Sequence, residues 1–549
     1  MRHQSQKDIS VRFIAIIFFS SVVAFSCNSQ PSQENKVVKQ DTIKPAGLSD
    51  AELAGSFSSQ TLLHFDSTSL SAFTKQYPRL KPFEQRMKRF YSNRKWAYAW
   101  FDKNGLIEPA GNLYNKVNNV KEEGWPGTIL YQDVLQSMMN EDTIPYDSRT
   151  ANPEIELMLT AQYFFYAENV WTGLGAKGMK AVNWDLPQKK ISYDEWLDSL
   201  LSISSAQRTT TEPVFRQYGM LKGYLKKYRD LESQNGLQPI KGDKKYYRKG
   251  DTSAVIAAIR KDLFLFGDLA TDDQSSMFDA TLENAVKNFQ QRFGLKDDGV
   301  VGAEMITQLN YPVEKRIEQI IVNMERCRWV PVALNKDYIV VNIPAYRFHA
   351  FENDSLVWSM DVVVGSEMNK TAIFTGMMNS VVFSPYWNVP PGIYRKETLP
   401  AMKKDNNYLA RNHMERTANG VRQKPGPWNA LGKVKFLFPN SHNIYLHDTP
   451  SKWAFEKEKR AFSHGCIRVS DPRRLALYIL RNQPAWTEQK VDAAMNANKE
   501  QYVKVADPVP VFIVYLTSWV DKQGRLNIRH DVYNRDSRLA QMIIDASKL

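Results

Sequence analysis

The sequence predicts a multidomain α+β protein, because its apolar residues follow helical spacing up to about residue 330 and strand spacing beyond it. A chain of 549 residues exceeds the size of one ordinary domain. Its composition, 43% hydrophobic and 24% charged, is typical of globular proteins that bury sizeable cores. The expected order is a helical domain, a small three-helix domain and a β-rich domain that carries an inserted segment.

The N-terminus has the pattern of an export signal. Basic residues within the first twelve positions precede an apolar run of 13 residues, 13–25, which is shorter than the about 20 residues that span a bilayer. The run ends in Ala24-Phe-Ser-Cys27, which resembles the lipobox of bacterial lipoproteins and makes Cys27 the expected lipidation site. The alternative is an ordinary cleaved signal peptide with an incidental cysteine. Residues 1–26 are thus an expected lipoprotein signal peptide, and the polar residues 27–48 an expected flexible tether.

Residues 50–240 are predicted to form a helical domain. Large apolar side chains recur there at intervals of three and four residues, as at Phe83, Met87 and Phe90. Such stripes indicate core packing, and no set of acids or metal ligands accompanies them.

Residues 246–310 are predicted to form three short helices separated by turns. The pattern resembles the peptidoglycan-binding domain of bacterial wall enzymes, through Phe278-Asp279, Ala285-Val-Lys-Asn-Phe-Gln290, Gly294-Leu295 and Asp298-Gly-Val-Val-Gly302. The resemblance implies binding to the wall polymer, and the alternative is a helical spacer that has lost ligand binding. Residues 311–336 follow as a predicted linker helix, in which Cys327 is expected to be a buried, unreactive thiol.

Residues 337–535 are predicted to be β-rich, since β-branched and aromatic runs alternate there with turn residues. Residues 393–432 interrupt this pattern with a charged, weakly periodic stretch. A connection of that length predicts a functional excursion from the sheet, such as a lid over the substrate. Residues 536–549 form an expected C-terminal tail.

Cys466 is the candidate nucleophile of the β-rich region. His464 lies two residues before it and Arg468 two residues after it, and cationic neighbours favour the reactive thiolate. A second histidine, His447, ends an apolar run 19 residues upstream, which is enough chain to leave one strand and return beside it. Gly465 permits close approach of backbone or substrate, and the neighbouring amides can form an oxyanion hole.

Ser463-His-Gly-Cys466, Arg468 and the upstream histidine together resemble the motif of the L,D-transpeptidase family. The resemblance implies a β-sandwich catalytic domain at 337–535, with 393–432 as its capping insertion. The larger members of the family place a helical scaffold domain and a peptidoglycan-binding domain before the catalytic domain, and this implies such a scaffold for residues 50–240.

The resemblance also implies a role for each candidate site residue. Cys466 is the nucleophile and His447 the base, and the main-chain carbonyl of Asp448 orients the base. His464 and Gly465 shape the oxyanion site. The expected substrate-binding residues are Arg468, Ser463, Tyr445, Trp387 and Asn388. For Arg468 a structural ion pair is the alternative, and for Tyr445 and the Trp387-Asn388 pair the alternative is packing.

In the family, the thiolate attacks the bond between residues three and four of a wall tetrapeptide stem and expels D-alanine. The acyl group then passes from sulfur to a side-chain amine of a second stem, which gives a 3→3 cross-link, and carbapenems acylate the same cysteine. Two other functions stay open. One is an L,D-carboxypeptidase or related hydrolase, in which water replaces the amine, and the other is a non-catalytic lipoprotein that anchors to peptidoglycan.

The charge of the chain does not indicate nucleic-acid binding. The formal charge is +13 and the pI about 9.2, but acidic residues are interspersed among the basic ones. The expected partners are donor and acceptor stem peptides and a membrane reached through the N-terminal lipid, and the expected location is the periplasmic side of the cell envelope. No cofactor or metal is expected, because no second cysteine cluster and no HExxH motif accompany Cys466, His464 and His447.

Overall fold

The computed structural model of the chain describes residues 63–139, 150–187, 189, 191–202, 212–330, 337–418 and 420–548. The predicted signal peptide, the tether and Cys27 lie outside these residues. Within the described ranges, no helix combines the length and the apolar composition that crossing a bilayer requires.

The first part of the chain is helical, as predicted. Its helices are α1 (Thr68–Gln76), α2 (Glu84–Asn93), α3 (Glu108–Asn118), α4 (Gln132–Met139), α5 (Pro153–Tyr166), α6 (Gly175–Ala181), α7 (Tyr193–Ser202) and α8 (Gln217–Ser233). Three two-residue strands lie among them: β1 (Phe101–Asp102), β2 (Gly105–Leu106) and β3 (Trp184–Asp185). The predicted stripe at Phe83, Met87 and Phe90 is confirmed, since all three side chains are buried in one apolar core.

Three short helices follow: α9 (Ala254–Phe266), α10 (Ala280–Phe293) and α11 (Ala303–Leu309). Their ends follow local chemistry. The side chain of Asp279 accepts a hydrogen bond from the main-chain amide of Leu282 and caps the start of α10. Gly294, with φ +68°, ends the same helix in the left-handed region. Gly294 of the peptidoglycan-binding-like pattern is therefore the C-cap of α10.

Helix α12 (Val313–Trp329) occupies the predicted linker. It is not an exposed connection, because most of its side chains are buried. Ile320 and Met324 belong to the core of the helical part, whereas Val322 and Trp329 belong to the core of the sheet. One helix therefore contributes to both apolar cores. Cys327 is buried as expected, and burial raises the pKa of its thiol to about 12.

The C-terminal part is rich in strands. They are β4 (Asp337–Asn342), β5 (Arg347–Glu352), β6 (Ser355–Gly365), β7 (Ile373–Phe383), β8 (Trp387–Asn388), β9 (Met414–Thr417), β10 (Gly420–Gln423), β11 (Val434–Leu437), β12 (Leu446–His447), β13 (Ala461–Ser463), β14 (Ile467–Val469), β15 (Gln501–Val514), β16 (Ser518–Val520) and β17 (Leu526–Ile528).

The main sheet has the order β11-β12-β14-β6-β5-β4-β15-β7-β3, with β13 added beside β6. Strand β11 also pairs with β7, so the strands from β11 to β7 close on themselves around one apolar core. The predicted combination of a helical first part and a β-rich second part is confirmed. The short strand β3 of the helical part pairs with β7 and extends this sheet.

The remaining helices flank the strands. They are α13 (Pro391–Ile393), α14 (Leu399–Lys404), α15 (Tyr408–Arg411), α16 (Pro472–Ile479), α17 (Glu488–Asn496) and α18 (Asp536–Ala546). The stretch predicted as a lid-like insertion contains α14, α15 and the hairpin β9–β10, and β8 pairs with β10 into a separate three-stranded sheet. The predicted insertion thus has its own secondary structure.

At two predicted domain boundaries, a segment is buried in a different core, or has a different structure, from the one that the sequence predicted. The hairpin β16–β17 lies within the predicted catalytic domain 337–535, yet its Val520, Leu526 and Ile528 are buried in the core of the helical part. The predicted tail 536–549 contains helix α18, whose Leu539 and Ile543 are buried in the core of the sheet. Both segments are amphipathic, and each buries its apolar face against a neighbour that is distant in sequence.

Candidate active site

Two short parallel strands, β12 and β14, bring the candidate residues together. Leu446 pairs with Ile467, and both are fully buried toward the core. Because side chains alternate along a strand, the residues on either side of this pair face away from the core. Those residues are Tyr445, His447, Cys466 and Arg468, and His447 lies directly opposite Arg468. Four of the predicted site residues therefore share one face of the sheet.

The Cys466 thiol is half-buried and lies 3.8 Å from the main-chain carbonyl oxygen of Asn443, to which it donates. Burial raises the pKa of this thiol, whereas hydrogen bonds from Tyr445 and the charge of Arg468 act in the opposite direction. Burial, together with the neighbouring thiol, also raises the pKa of Tyr445. The resting cysteine is therefore a protonated thiol that needs a base to become a nucleophile.

His447 is a buried, neutral imidazole. Its side chain is 5% exposed, and burial lowers its pKa to about 4. Its Nδ1 lies 2.5 Å from the main-chain carbonyl oxygen of Asp448. A carbonyl only accepts hydrogen bonds, so Nδ1 carries the proton and Nε2 is left with a free lone pair. The ring can therefore take up a proton at Nε2.

The Asp448 side chain has a separate structural role. It accepts hydrogen bonds from the main-chain amide of Lys433 and the ammonium of Lys452. The second bond ties the residues after His447 to the short helix Lys452–Glu456. These contacts hold the strand end on which the imidazole lies.

The turn around Cys466 is held by hydroxyl groups. The Ser463 hydroxyl donates to the carbonyl of Cys466 and accepts from the amide of Gly465, 3.1 Å away. Ser463 is 3% exposed, so its hydroxyl lies inside the turn rather than in a substrate groove. Gly465 has φ +117°, which side chains rarely tolerate. The carbonyl of Gly465 accepts from the hydroxyl of Thr371 at 2.8 Å.

Arg468 lies beside the thiol with part of its donor capacity unused. Its Nε is buried, and within the described part of the chain it has no hydrogen-bond partner. A buried guanidinium with a free donor is suited to binding a carboxylate. Within the described residues no carboxylate forms a salt bridge with Arg468, so the alternative of a structural ion pair has no support there.

His464 points away from the sheet toward the insertion. Its Nε2 lies 2.9 Å from the carboxylate of Glu397, and both side chains are about half-exposed. The insertion therefore reaches the turn that carries Cys466. Trp387 and Asn388 belong to the insertion's own sheet, where they pair with Gln423 and Arg422. The structure thus separates these two residues from the strands that carry the cysteine.

Two exposed aromatic rings border the same turn. Trp453 is 55% exposed and Phe462 43%, and their ring centroids lie 5.9 Å apart. Phe462 precedes His464 by two residues, and Trp453 follows His447 by six. Exposed apolar surface beside a reactive group is typical of a ligand groove.

Sequence reasoning did not find four residues of this site: Thr371, Glu397, Asn443 and Trp453. Thr371 and Glu397 contact the turn from 94 and 67 residues away, so no local pattern indicates them. The only sequence signal for Trp453 is an aromatic residue near a candidate histidine.

The fold and the site together define a β-sheet domain with a cysteine and a neutral, buried histidine on adjacent strands. Comparison with known families adds three regional matches. Residues 336–511 match the L,D-transpeptidase catalytic domain, residues 85–225 the family described as "Scaffold domain", and residues 252–309 the "Putative peptidoglycan binding domain". The chain thus carries, in order, regions that match a scaffold domain, a peptidoglycan-binding domain and an L,D-transpeptidase catalytic domain.

Individual relatives agree with this assignment. A Haemophilus influenzae protein named "Putative L,D-transpeptidase" is 30% identical over 243 residues, which cover 40% of this chain and 49% of that protein. The chain thus spans about half the length of this curated relative.

Solved structures of L,D-transpeptidases also match. That from Stackebrandtia nassauensis is 13% identical and covers 49% of this chain and 94% of its own, with a TM-score of 0.22. The structure from Xylanimonas cellulosilytica is 13% identical, and the match covers 50% of this chain and 100% of the solved chain, with a TM-score of 0.17. An L,D-transpeptidase structure in complex with imipenem is 18% identical, and the match covers 33% of this chain and 59% of the solved chain, with a TM-score of 0.18. Because these superpositions are poor, the assignment rests on the family matches.

Proposed function

We propose that the protein is a peptidoglycan L,D-transpeptidase that forms 3→3 cross-links through a thioester on Cys466. The observation that carries the proposal is that Cys466, Tyr445, His447 and Arg468 share one face of the sheet. The imidazole of His447 in this group is neutral and fixed in one tautomer. The family match at 336–511 supports the reaction class.

In the proposed first step, Nε2 of His447 takes the proton of the Cys466 thiol as sulfur attacks the carbonyl between residues three and four of a donor stem. The tetrahedral adduct collapses, the bond to D-alanine breaks, and the proton on His447 goes to the leaving amine. A thioester remains on sulfur. The side-chain amine of a second stem then attacks this thioester, gives its proton to His447, and restores the thiol.

The negative charge of the adduct needs hydrogen-bond donors. The amide of Gly465 is already bonded to the Ser463 hydroxyl, whereas the amide of Cys466 has no hydrogen-bond partner within the described residues. We assign the oxyanion site to the Cys466 amide, and we assign Ser463 to holding the turn rather than to binding substrate. Gly465 then serves through its backbone conformation.

The substrate is proposed to lie across the same face. The free donor of Arg468 is suited to a stem carboxylate, and Trp453 and Phe462 provide apolar walls. The insertion, whose Glu397 contacts His464, is proposed to act as a lid, and its strand β10 pairs with the preceding strand of Trp387 and Asn388. This assignment gives His464 the role of joining the lid to the turn.

The other domains supply the location. A peptidoglycan-binding domain beside a transpeptidase domain supports a role in the cell envelope, on the periplasmic side. Lipid attachment at Cys27 is a further part of the proposal, based on the lipobox-like sequence. By analogy with the imipenem complex, carbapenems are expected to acylate Cys466.

The test compares Cys466→Ala with wild type on purified tetrapeptide stems, with products identified by mass spectrometry. We expect wild type to form 3→3 dimers and release D-alanine, and Cys466→Ala to form none. The matched control is Cys327→Ala, which removes the buried thiol of α12 and should leave dimer formation intact. Unchanged dimer yield in Cys466→Ala would refute the mechanism, and trimmed monomers alone from wild type would identify the hydrolase instead.

A further inference from the structure

The turn at Cys466 is supported from behind by a closed set of buried hydrogen bonds. The Thr371 hydroxyl donates to the carbonyl of Gly465 at 2.8 Å and accepts from the amide of Gly365, also at 2.8 Å. The Thr371 amide donates to the hydroxyl of Tyr533 at 3.1 Å, and that hydroxyl donates to the carbonyl of Gly365 at 2.7 Å. Thr371 is fully buried and Tyr533 is 1% exposed.

Each of these groups has its partners, so the set has one low-energy arrangement. Gly365 fits only because it lacks a side chain, since a Cβ there would lie 2.0 Å from the carbonyl oxygen of Asn369. The site is therefore tightly packed as well as hydrogen-bonded.

The position of the Gly465 carbonyl determines the direction of the next amide. The peptide bond between Gly465 and Cys466 is planar, and in a trans peptide the carbonyl oxygen and the following N–H point in opposite directions. Thr371 holds the oxygen on the inner side of the turn. The N–H of Cys466 is therefore directed to the outer side, where the thiol and the substrate lie.

We infer that Thr371 and Tyr533 are positioning residues that aim the Cys466 amide at the oxyanion of the reaction. The inference rests on the proposed function, because it assumes that acyl transfer takes place on Cys466. Neither residue touches the substrate, and both act through the peptide plane of Gly465. Removing the Thr371 hydroxyl frees this plane to rotate and weakens the oxyanion contact.

Tyr533 gives the inference a second consequence. It lies beyond residue 511, where the match to the catalytic-domain family ends. Its ring stacks on Tyr515 at 5.6 Å between centroids, and its amide donates to the Tyr515 hydroxyl. Arg326 of α12 lies over the ring of Tyr515 at 5.1 Å. The segment after the matched region is therefore part of the catalytic unit, and it connects the turn to α12.

The experiment compares two reactions of the same thiol in the full chain. Acylation by imipenem passes through an oxyanion, whereas alkylation by iodoacetamide is a displacement that has none. We expect Thr371→Val to slow acylation by about tenfold to a hundredfold and to leave alkylation within about twofold of wild type. Thr371→Ser keeps the hydroxyl and should recover most of the acylation rate. Tyr533→Phe should slow acylation in the same direction.

The matched control is Thr375→Val, four residues further along on β7, which removes a hydroxyl bond to the carbonyl of Val511. It should acylate like wild type. Equal slowing of both reactions in Thr371→Val, an unchanged acylation rate, or failure of Thr371→Ser to recover it would each overturn the inference. If wild type is acylated by imipenem but does not cross-link stems, the proposed function fails while the positioning role is still measured.

Discussion

Neutralising one carboxylate inside α12 should destabilise the whole protein. Glu325 is 1% exposed and forms a 2.7 Å ion pair with Arg328, which is also 1% exposed. Glu325 also accepts from the amide of Leu174 and the indole of Trp329, and Arg328 donates to the carbonyls of Val170 and Glu123. Hydrogen-bond partners therefore surround both charged groups of the pair.

The magnitude follows from burial. Glu325→Gln keeps the shape and the accepting oxygen, but it leaves the Arg328 charge buried without its counterion. Removing one partner of a buried pair costs about 3–5 kcal/mol of unfolding free energy. Arg328→Met should cost a similar amount. The double variant should be less destabilised than the sum by about 2 kcal/mol, because no unpaired charge is left.

The assay is guanidinium-induced unfolding followed by tryptophan fluorescence. The control is Glu318→Gln on the same helix, whose pair with Lys315 has the same three-residue spacing but is exposed to solvent. We expect that variant to lose less than about 1 kcal/mol. If Glu325→Gln is no more destabilised than Glu318→Gln, or if the two single effects add in the double variant, the reasoning from burial is wrong.

Two further predictions concern the reaction and the location. Because burial lowers the pKa of His447 to about 4, the base stays neutral above that pH, so the rate at which imipenem acylates wild type should fall only as pH drops toward about 4. A fall centred near 6.5, the ordinary pKa of a histidine, in protein shown to be folded by circular dichroism, would contradict the buried base. For the lipid anchor, Cys27→Ser should move the protein from the membrane to the soluble fraction of cells. Retention on the membrane to the wild-type extent would show that Cys27 is not the anchor.

Much of the candidate site could be predicted from sequence because its core is local. Six consecutive residues, Ser463 to Arg468, contain this core. Their closeness in sequence makes them neighbours in the structure. The start of α16 is equally local. Asp471 accepts from the amide of Arg474, and Pro472 is the first helical residue, and both residue types are typical of these positions at a helix start.

The orientation of each side chain within the turn could not be predicted from the sequence. Ser463 has the same side chain whether it faces substrate or the interior, and only the folded turn shows its hydroxyl between Cys466 and Gly465. Asn353-Asp354 is a typical hairpin signal, but from sequence alone we place it between the apolar runs at 338–343 and 356–364, and this misses strand β5. The turn exists, with φ +46° and +61°, but it joins β5 to β6.

The burial of α12 has a mechanical consequence. Domains joined by a flexible linker move independently of each other, because the linker absorbs their relative displacement. Here Met324 is fixed in one core and Trp329 in the other, five residues along the same helix. A displacement of the helical part of the chain would therefore move the closed sheet with it, through one continuous helix.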